Sequence, residues 1–300
     1  MRKSIGLDVG GTNISAVLID EELNVLESLC RRSDYYQTDY LRNIVEIIAS
    51  LIGEDAREIS GIGIGVPGIV ESKRGMVRFS PALKWEEFAL GEIVANLFDV
   101  ATHIENDVNA WTLAEKRLGA AKSSDHFIML TIGTGIGCGL WLDGKIYRGY
   151  QCEAGEIGYL PLGLAAYDKS YTYDDFGFFE SRASTAAVSQ SYHEHFKTHC
   201  DCKTVFKLAE EGNSTAAQLI EETYRYLGLG IGSLVCLLNP ELIVIGGGMA
   251  QEGEGFLRQL QEKVKGLVPI RTKLCLTQVG DLGGAIGSAT LGFSNVAALI

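Results

Sequence analysis

Two stretches of the chain carry the same alternation of apolar strand, glycine turn and apolar strand. In the first, Ser4 to Val9 is followed by Gly10-Gly11-Thr12 and then by Ile14 to Ile19, closing on the turn residues Asp20, Glu21 and Glu22. In the second, Phe127 to Ile132 is followed by Gly133-Thr134-Gly135 and then by Ile136 to Leu142, closing on Asp143-Gly144. Each reads as a β-hairpin. Laying Gly10 on Gly133 brings Leu7 onto Leu130, Asp8 onto Thr131 and Asp20 onto Asp143, so the pattern predicts a duplicated fold. Between the hairpins lie an amphipathic helical stretch (Leu41 to Ile52), an apolar strand (Gly61 to Val66, ending at Pro67-Gly68) and a helix-forming run (Asn109 to Leu118). Beyond them come helical patterns over Ser181 to Phe196 and Ala216 to Leu238, then a buried strand, Leu242 to Ile245, running into Gly246-Gly247-Gly248. Strands alternating with helices define an α/β class.

At 300 residues and 46% hydrophobic content the chain has enough apolar material for one large domain or two of about 150 residues. Two lobes are expected: 1–120 with 287–300, and 121–286. The longest apolar runs fall well short of the ~20 residues that span a bilayer. The N-terminus runs straight into a strand without the features of a secretory signal, so a cytoplasmic protein with no membrane partner is expected. The first strand begins by residue 4, which argues against a preceding DNA-binding helix-turn-helix. The net charge of −12 argues against nucleic acid, whose phosphates require clustered Lys and Arg. Seven cysteines, an odd number, are expected as reduced thiols.

The candidate chemistry lies in the turns. Asp8 ends a buried strand just before Gly10, Gly11 and Thr12, where missing Cβ atoms let backbone N–H groups approach an anion. Nucleotide phosphates fit such a nest, with Asp8 placed to hold Mg²⁺ directly or through water. Thr131, Gly133, Thr134 and Gly135 make the same provision in the second copy. Neither turn carries the Lys of a P-loop or a following crossover helix, which disfavours the P-loop and Rossmann readings. Gly247 and Gly248 offer an adenosine close access to backbone, or simply turn a strand into a helix. Asn106-Asp107 at a helix start supplies a carboxylate of the kind that takes a proton from an attacking hydroxyl; Asp107 could equally serve only as the helix N-cap.

Together, Asp8-Val9-Gly10-Gly11-Thr12, Gly65-Val66-Pro67-Gly68, Glu105-Asn106-Asp107-Val108-Asn109, Thr131-Ile132-Gly133-Thr134-Gly135-Ile136-Gly137 and Gly155-Glu156-Ile157-Gly158 resemble the ROK family of sugar kinases and repressors over nearly the whole chain. The resemblance implies an actin-like ATPase (ribonuclease H-like) fold of two lobes, with sugar and Mg²⁺–ATP meeting in the interlobe cleft. It implies Asp107 as catalytic base, and Gly68, Asn106, Glu156 and Glu180 as sugar contacts. A homodimer or homotetramer is common in the family. The activity implied is phosphoryl transfer to a hexose hydroxyl, the 6-hydroxyl of glucose foremost, with N-acetylmannosamine or another hexosamine, allose or a β-glucoside as alternatives. A non-catalytic sugar sensor is the rival from another class.

Two departures stand out. Tyr159 replaces the His that typically follows Gly-Glu-x-Gly, and no cysteine occurs between Cys152 and Cys200, so the family's structural zinc loop is not expected. Aromatic packing by Tyr167, Tyr171, Tyr173, Phe176, Phe178 and Phe179 is expected to hold the loop that delivers Glu180 instead, with the Tyr159 hydroxyl available to a sugar. Ala82 stands where many members carry a polar residue. The cluster His193, His195, His199, Cys200 and Cys202 has metal-ligand residue types, but its spacing matches no standard zinc module.

Overall fold

The computed structural model describes residues 2–33, 39–53 and 56–293. It comprises two compact units: one holds the described residues up to Asp125, Gly139–Ala154 and those from Gln278 on, the other His126–Cys138 and Gly155–Thr277.

The first unit opens with β1 (Lys3–Val9), β2 (Asn13–Asp20), β3 (Val25–Arg32), α1 (Tyr40–Ile52) and β4 (Ile59–Val66). It continues with β5 (Ile69–Glu71), β6 (Met76–Ser80), β7 (Trp85–Phe88), α2 (Leu90–Phe98), β8 (Thr102–Asn106) and α3 (Asp107–Arg117). Its main sheet has the order β3-β2-β1-β4-β8, and β5, β6 and β7 form a small separate sheet. The hairpin β1/β2 is antiparallel with Asp8 opposite Ser15, whereas β4 and β8 run parallel to β1. Asp8 pairs with Gly65 and Gly65 with Glu105, which lines up the ends of three parallel strands where open α/β sheets place their ligands. One sheet face buries Ile5, Leu7, Ile62 and Ile64 with Ile44, Ile47 and Ile48 of α1.

The remaining elements are β9 (Phe127–Ile132), β10 (Ile136–Leu142), β11 (Lys145–Ile146), α4 (Glu180–Ala183), α5 (Thr185–Phe196), α6 (Cys202–Glu210), α7 (Ser214–Leu238), β12 (Leu242–Gly246), α8 (Gly253–Lys265), β13 (Lys273–Leu276) and α9 (Gly283–Thr290). The second sheet has the order β11-β10-β9-β12-β13. It repeats the first: a hairpin, then two strands parallel to its first strand, with Gly246 paired to Thr131 as Gly65 is to Asp8. The two turns have the same length but are closed by different hydrogen bonds. Gly10 N–H donates to Asn13 O at 2.9 Å, whereas Gly133 N–H donates to Gly135 O at 2.9 Å.

Helix α9 returns to the first unit and lies against β1, β4 and α3. Backbone meets backbone there: a Cβ on Gly63 would stand 1.8 Å from Ser288 O, and one on Gly287 1.7 Å from Ala110 O.

The boundaries expected near residues 120 and 287 need correction. Residues 121–125, 139–154 and 278–286 belong with the first unit, because Gly139 abuts Thr112, Lys116 Nζ sits 5.7 Å over the Trp141 ring and Gln278 N–H donates to the Glu115 carboxylate at 3.0 Å. Residues 294–300 of the expected first lobe lie outside the described residues. The helix expected over Ser181–Phe196 is broken: Ser184 is extended at φ −80° and ψ 166°, and its hydroxyl caps α5 by accepting from Ala187 N–H. Among the described residues no helix is long and apolar enough to cross a membrane.

Candidate active site

Helix α3 begins at the end of β8, and its cap decides what Asp107 is free to do. Asn106, not Asp107, is the N-cap: its Oδ1 accepts from Val108 N–H at 3.0 Å and Asn109 N–H at 3.1 Å. Its Nδ2 donates to Gly68 O at 3.1 Å. Asp107 is the first helical residue and accepts from Val108 N–H at 2.9 Å. Burial holds its carboxyl above the ordinary carboxylate range, a bias toward accepting a proton. Gly68 is required by the fold itself, since φ is +102° and a Cβ would stand 2.2 Å from Phe79 O.

Asp8 is pushed up to about 7, first by burial and then by the charge of Asp107, while a hydrogen bond from Trp111 pulls it down. Two carboxylates sharing an unfavourable field make a site that a cation relieves, so the donor set fits Mg²⁺ at Asp8. Trp111 and the Asp8 carboxylate both lie over Gly284, where a Cβ would come within 2.5 and 2.2 Å of them. Sequence reasoning did not assign Trp111 a role; its position on α3, one turn beyond Asp107, is the signal that could have found it.

The glycines of the two turns divide by cause. None of Gly10, Gly11, Gly133 and Gly135 has positive φ. A Cβ on Gly10 would sit 3.0 Å from Asn13 O and one on Gly135 2.3 Å from Glu180 Oε2, but Gly11 and Gly133 face open space. Their missing Cβ atoms are unexplained by the protein's own packing and leave room for an anion against the backbone. Thr12 and Thr134 are exposed, and the Thr131 hydroxyl lies 3.4 Å from Gly137 O.

In the second unit Glu156 is exposed just before a short 3-10 turn over Ile157–Tyr159. Glu180 opens α4 and its Oε2 accepts from Ile136 N–H at 2.8 Å; burial raises its pKa. It therefore holds the second glycine turn as well as standing near Gly158, whose Cβ would contact it at 3.3 Å. The Tyr159 hydroxyl, expected for a sugar, instead reaches Asp175 O at 3.2 Å and Thr172 O at 3.3 Å. Asp175 in turn accepts from Lys169 Nζ, Thr172 N–H and Thr172 Oγ1 at 2.7, 3.0 and 2.9 Å. This polar knot, with Tyr159 edge-on to Tyr173, orders the loop before Phe178 and Phe179, which are buried. Tyr167 and Phe176 are exposed and do not share that packing.

Gly247 needs its φ of +84° and abuts Ile132, whereas Gly248 faces a cavity of about 400 Å³. Thr134, Thr185, Ser189, Lys203, Gln251 and Glu252 also line it, of which only Thr134 was anticipated. Of the His and Cys residues near the end of α5, His193 and His199 stack with ring centroids 3.9 Å apart; among the described residues no group of three or more His, Cys, Asp or Glu is arranged to hold a metal ion.

The repeated sheet order and the residues at the ends of its strands define an actin-like fold. The ROK family model matches residues 4–294, and the chain belongs to the ROK family. It is similar to a glucokinase of Thermotoga maritima, at 30% identity over 87% of each chain. It is also similar to a xylose repressor of Caldicellulosiruptor bescii, at 31% identity over 75% of this chain and 59% of that one. A ROK family glucokinase from Streptomyces griseus, solved in complex with glucose and AMPPNP, superposes with a TM-score of 0.81 at 27% identity, covering 96% of this chain and 98% of the other.

Proposed function

We propose that this chain is an ATP-dependent sugar kinase that transfers the γ-phosphoryl group to a hexose hydroxyl, the 6-hydroxyl of glucose foremost, with Asp107 as the base. The observation that carries the reading is the division of labour at the start of α3. Asn106 supplies the cap, so the carboxylate of Asp107, held proton-accepting by burial, is left for substrate. The similarity to glucokinases favours glucose as the first sugar to try.

In this reading Asn106 and Gly68 hold the sugar beside Asp107, with Glu156 and Glu180 as further contacts. The N–H groups of Gly11 and Gly135, in turns that Gly10 and Gly133 close through their own N–H groups, hold the phosphates of ATP together with Thr12, Thr131 and Thr134, and the cavity at Gly248 takes the adenosine. Asp8 would hold Mg²⁺, which neutralises phosphate charge as transfer proceeds. Asp107 receives the hydroxyl proton as the oxygen attacks phosphorus in line. The similarity to xylose repressors keeps a sugar sensor as the second reading.

The test is ADP release from Mg²⁺–ATP by the purified protein across glucose, mannose, allose, fructose, N-acetylmannosamine, N-acetylglucosamine and cellobiose. Sugar-dependent release is expected, reduced by about 10²–10⁴-fold in Asp107→Asn with sugar binding kept. Sugar binding without turnover in the wild type would favour the sensor.

A further inference from the structure

Glu105 is the residue before Asn106 and is 1% exposed. Its Oε1 accepts from Asn106 N–H at 3.0 Å and from Asn109 Nδ2 at 3.1 Å. Its Oε2 accepts from Arg148 Nε at 3.1 Å and from Arg148 Nη2, and the Arg148 side chain is itself only 11% exposed. Withdrawing such a pair from water costs several kcal/mol per ion, and apolar residues of similar volume often fill the space as well or better. An apolar pair, however, could not hold the Asn106 N–H and the Asn109 amide. Those bonds set the corner from β8 into α3, at which Asn106 both caps the helix and reaches Gly68 O. Asp107 sits between the two held residues. The other end of Arg148 is also fixed: its carbonyl accepts from Ala154 N–H at 3.1 Å, immediately before Gly155-Glu156 in the chain.

We propose that Arg148, acting through Glu105, is a positioning residue for the Asp107 base: the buried ion pair locks the corner that aims Asp107 at the sugar hydroxyl. The inference rests on the kinase reading above. It distinguishes Arg148 and Glu105 from residues that touch sugar, and predicts a defect in turnover rather than in binding.

The test compares Arg148→Lys, Arg148→Met, Glu105→Gln and the double variant Glu105→Gln/Arg148→Met, which removes both charges and leaves neither buried alone. Each is examined for thermal melting, for sugar and nucleotide dissociation constants, and for kcat with the sugar the wild type prefers. The double variant is expected to melt near the wild type, yet to lose about 10–100-fold in kcat while both dissociation constants change by less than about threefold, because small misplacement of a base costs rate rather than affinity. Arg148→Lys keeps the charge but not the two-pronged contact and is expected to fall between; where other variants do not fold, it carries the test alone. A folded double variant, or Arg148→Lys alone, with wild-type kcat overturns the inference, as does a loss confined to sugar affinity. Silence of the wild type with every sugar overturns the kinase reading and this inference with it, whereas an active wild type with unaffected variants overturns the inference alone.

Discussion

Gly11→Ala and Gly133→Ala separate a glycine kept for the fold from one kept for a ligand. Neither position has positive φ, and a Cβ at either meets nothing within 4 Å. The ligand-free protein should therefore accept alanine, and the loss of freedom in the unfolded chain should stabilise it by about 0.4–1 kcal/mol. A bound phosphate changes the balance. An oxygen accepting a backbone N–H lies about 2.9 Å from the nitrogen, while a carbon tolerates oxygen no nearer than about 3.3 Å. The methyl group would push the phosphate outward by several tenths of an ångström, toward the ~1 Å displacement that costs about 10²-fold in rate. Steady-state kinetics with ATP varied at saturating sugar should give kcat/KM for ATP lowered by about 10–100-fold, with sugar affinity and melting temperature held or slightly raised. Gly247→Ala is the contrast: its φ is +84° and its Cβ would stand 2.6 Å from Ile132 O, so it should destabilise the protein before any ligand is added. Wild-type kcat/KM for ATP in both Gly11→Ala and Gly133→Ala would refute the phosphate reading of the turns. Destabilisation of the about 1–3 kcal/mol typical of overpacking would refute the claim of open space.

Other outcomes follow from the same geometry. Asp8 has a folded pKa raised to about 7, so the stability it contributes is present when protonated and is lost as pH rises from the ordinary carboxylate range through about 7. Asp8→Asn should therefore raise the melting temperature of the ligand-free protein at pH about 8, with a gain that shrinks toward pH about 5, and should abolish turnover; an equal effect at both pH values would contradict the assignment. Asp107 must be ionised to act as base, and its pKa is raised, so kcat/KM for sugar should fall on the acid side beginning above the ordinary aspartate value of about 3.9. A profile flat down to pH about 4 would remove Asp107 from that role. Gly287→Ala drives a methyl to 1.7 Å from Ala110 O and should cost about 1–3 kcal/mol or more by parting α9 from α3; an unchanged denaturation midpoint would show that the seam yields.

The hairpins, β4 and β12 were legible as apolar runs bounded by glycine turns, alternating in β4 and continuous in β12, α1 and α7 by apolar residues at helical spacing, and α3 as a helix-forming run. β3 was not: six of its eight residues are exposed, so its pairing with β2 leaves little apolar trace. The small sheet β5–β7 is short and interleaved with polar residues, and β13 has only four. The candidate site was legible where backbone demands glycine or where a carboxylate ends an apolar strand, as at Asp8. It was illegible where a side chain acts on another across long separations. Arg148 meets Glu105 43 residues away, a spacing that leaves no local mark, and Trp111 reaches Asp8 across more than a hundred, marked only by its place one turn beyond Asp107. Sequence also does not show that the Tyr159 hydroxyl is directed at the backbone of Thr172 and Asp175.

The duplication also explains why its two copies cannot be chemically alike. Asp8 and Thr131 occupy equivalent positions, each paired with a glycine of the neighbouring parallel strand. In the first copy a carboxylate at that position, disfavoured by burial and then by the charge of Asp107, is relieved by a proton or by a cation. On the proposed reading that demand is useful, since it ties the metal to the strand end beside the base. On that reading a second carboxylate at position 131 would oppose the phosphates held at the Gly133–Gly135 turn. Threonine keeps a polar hydroxyl there without a charge to desolvate. On the proposed reading, the shared backbone supplies two places for an anion to approach, and the single exchange of carboxylate for hydroxyl would give metal binding to one and plain phosphate contact to the other.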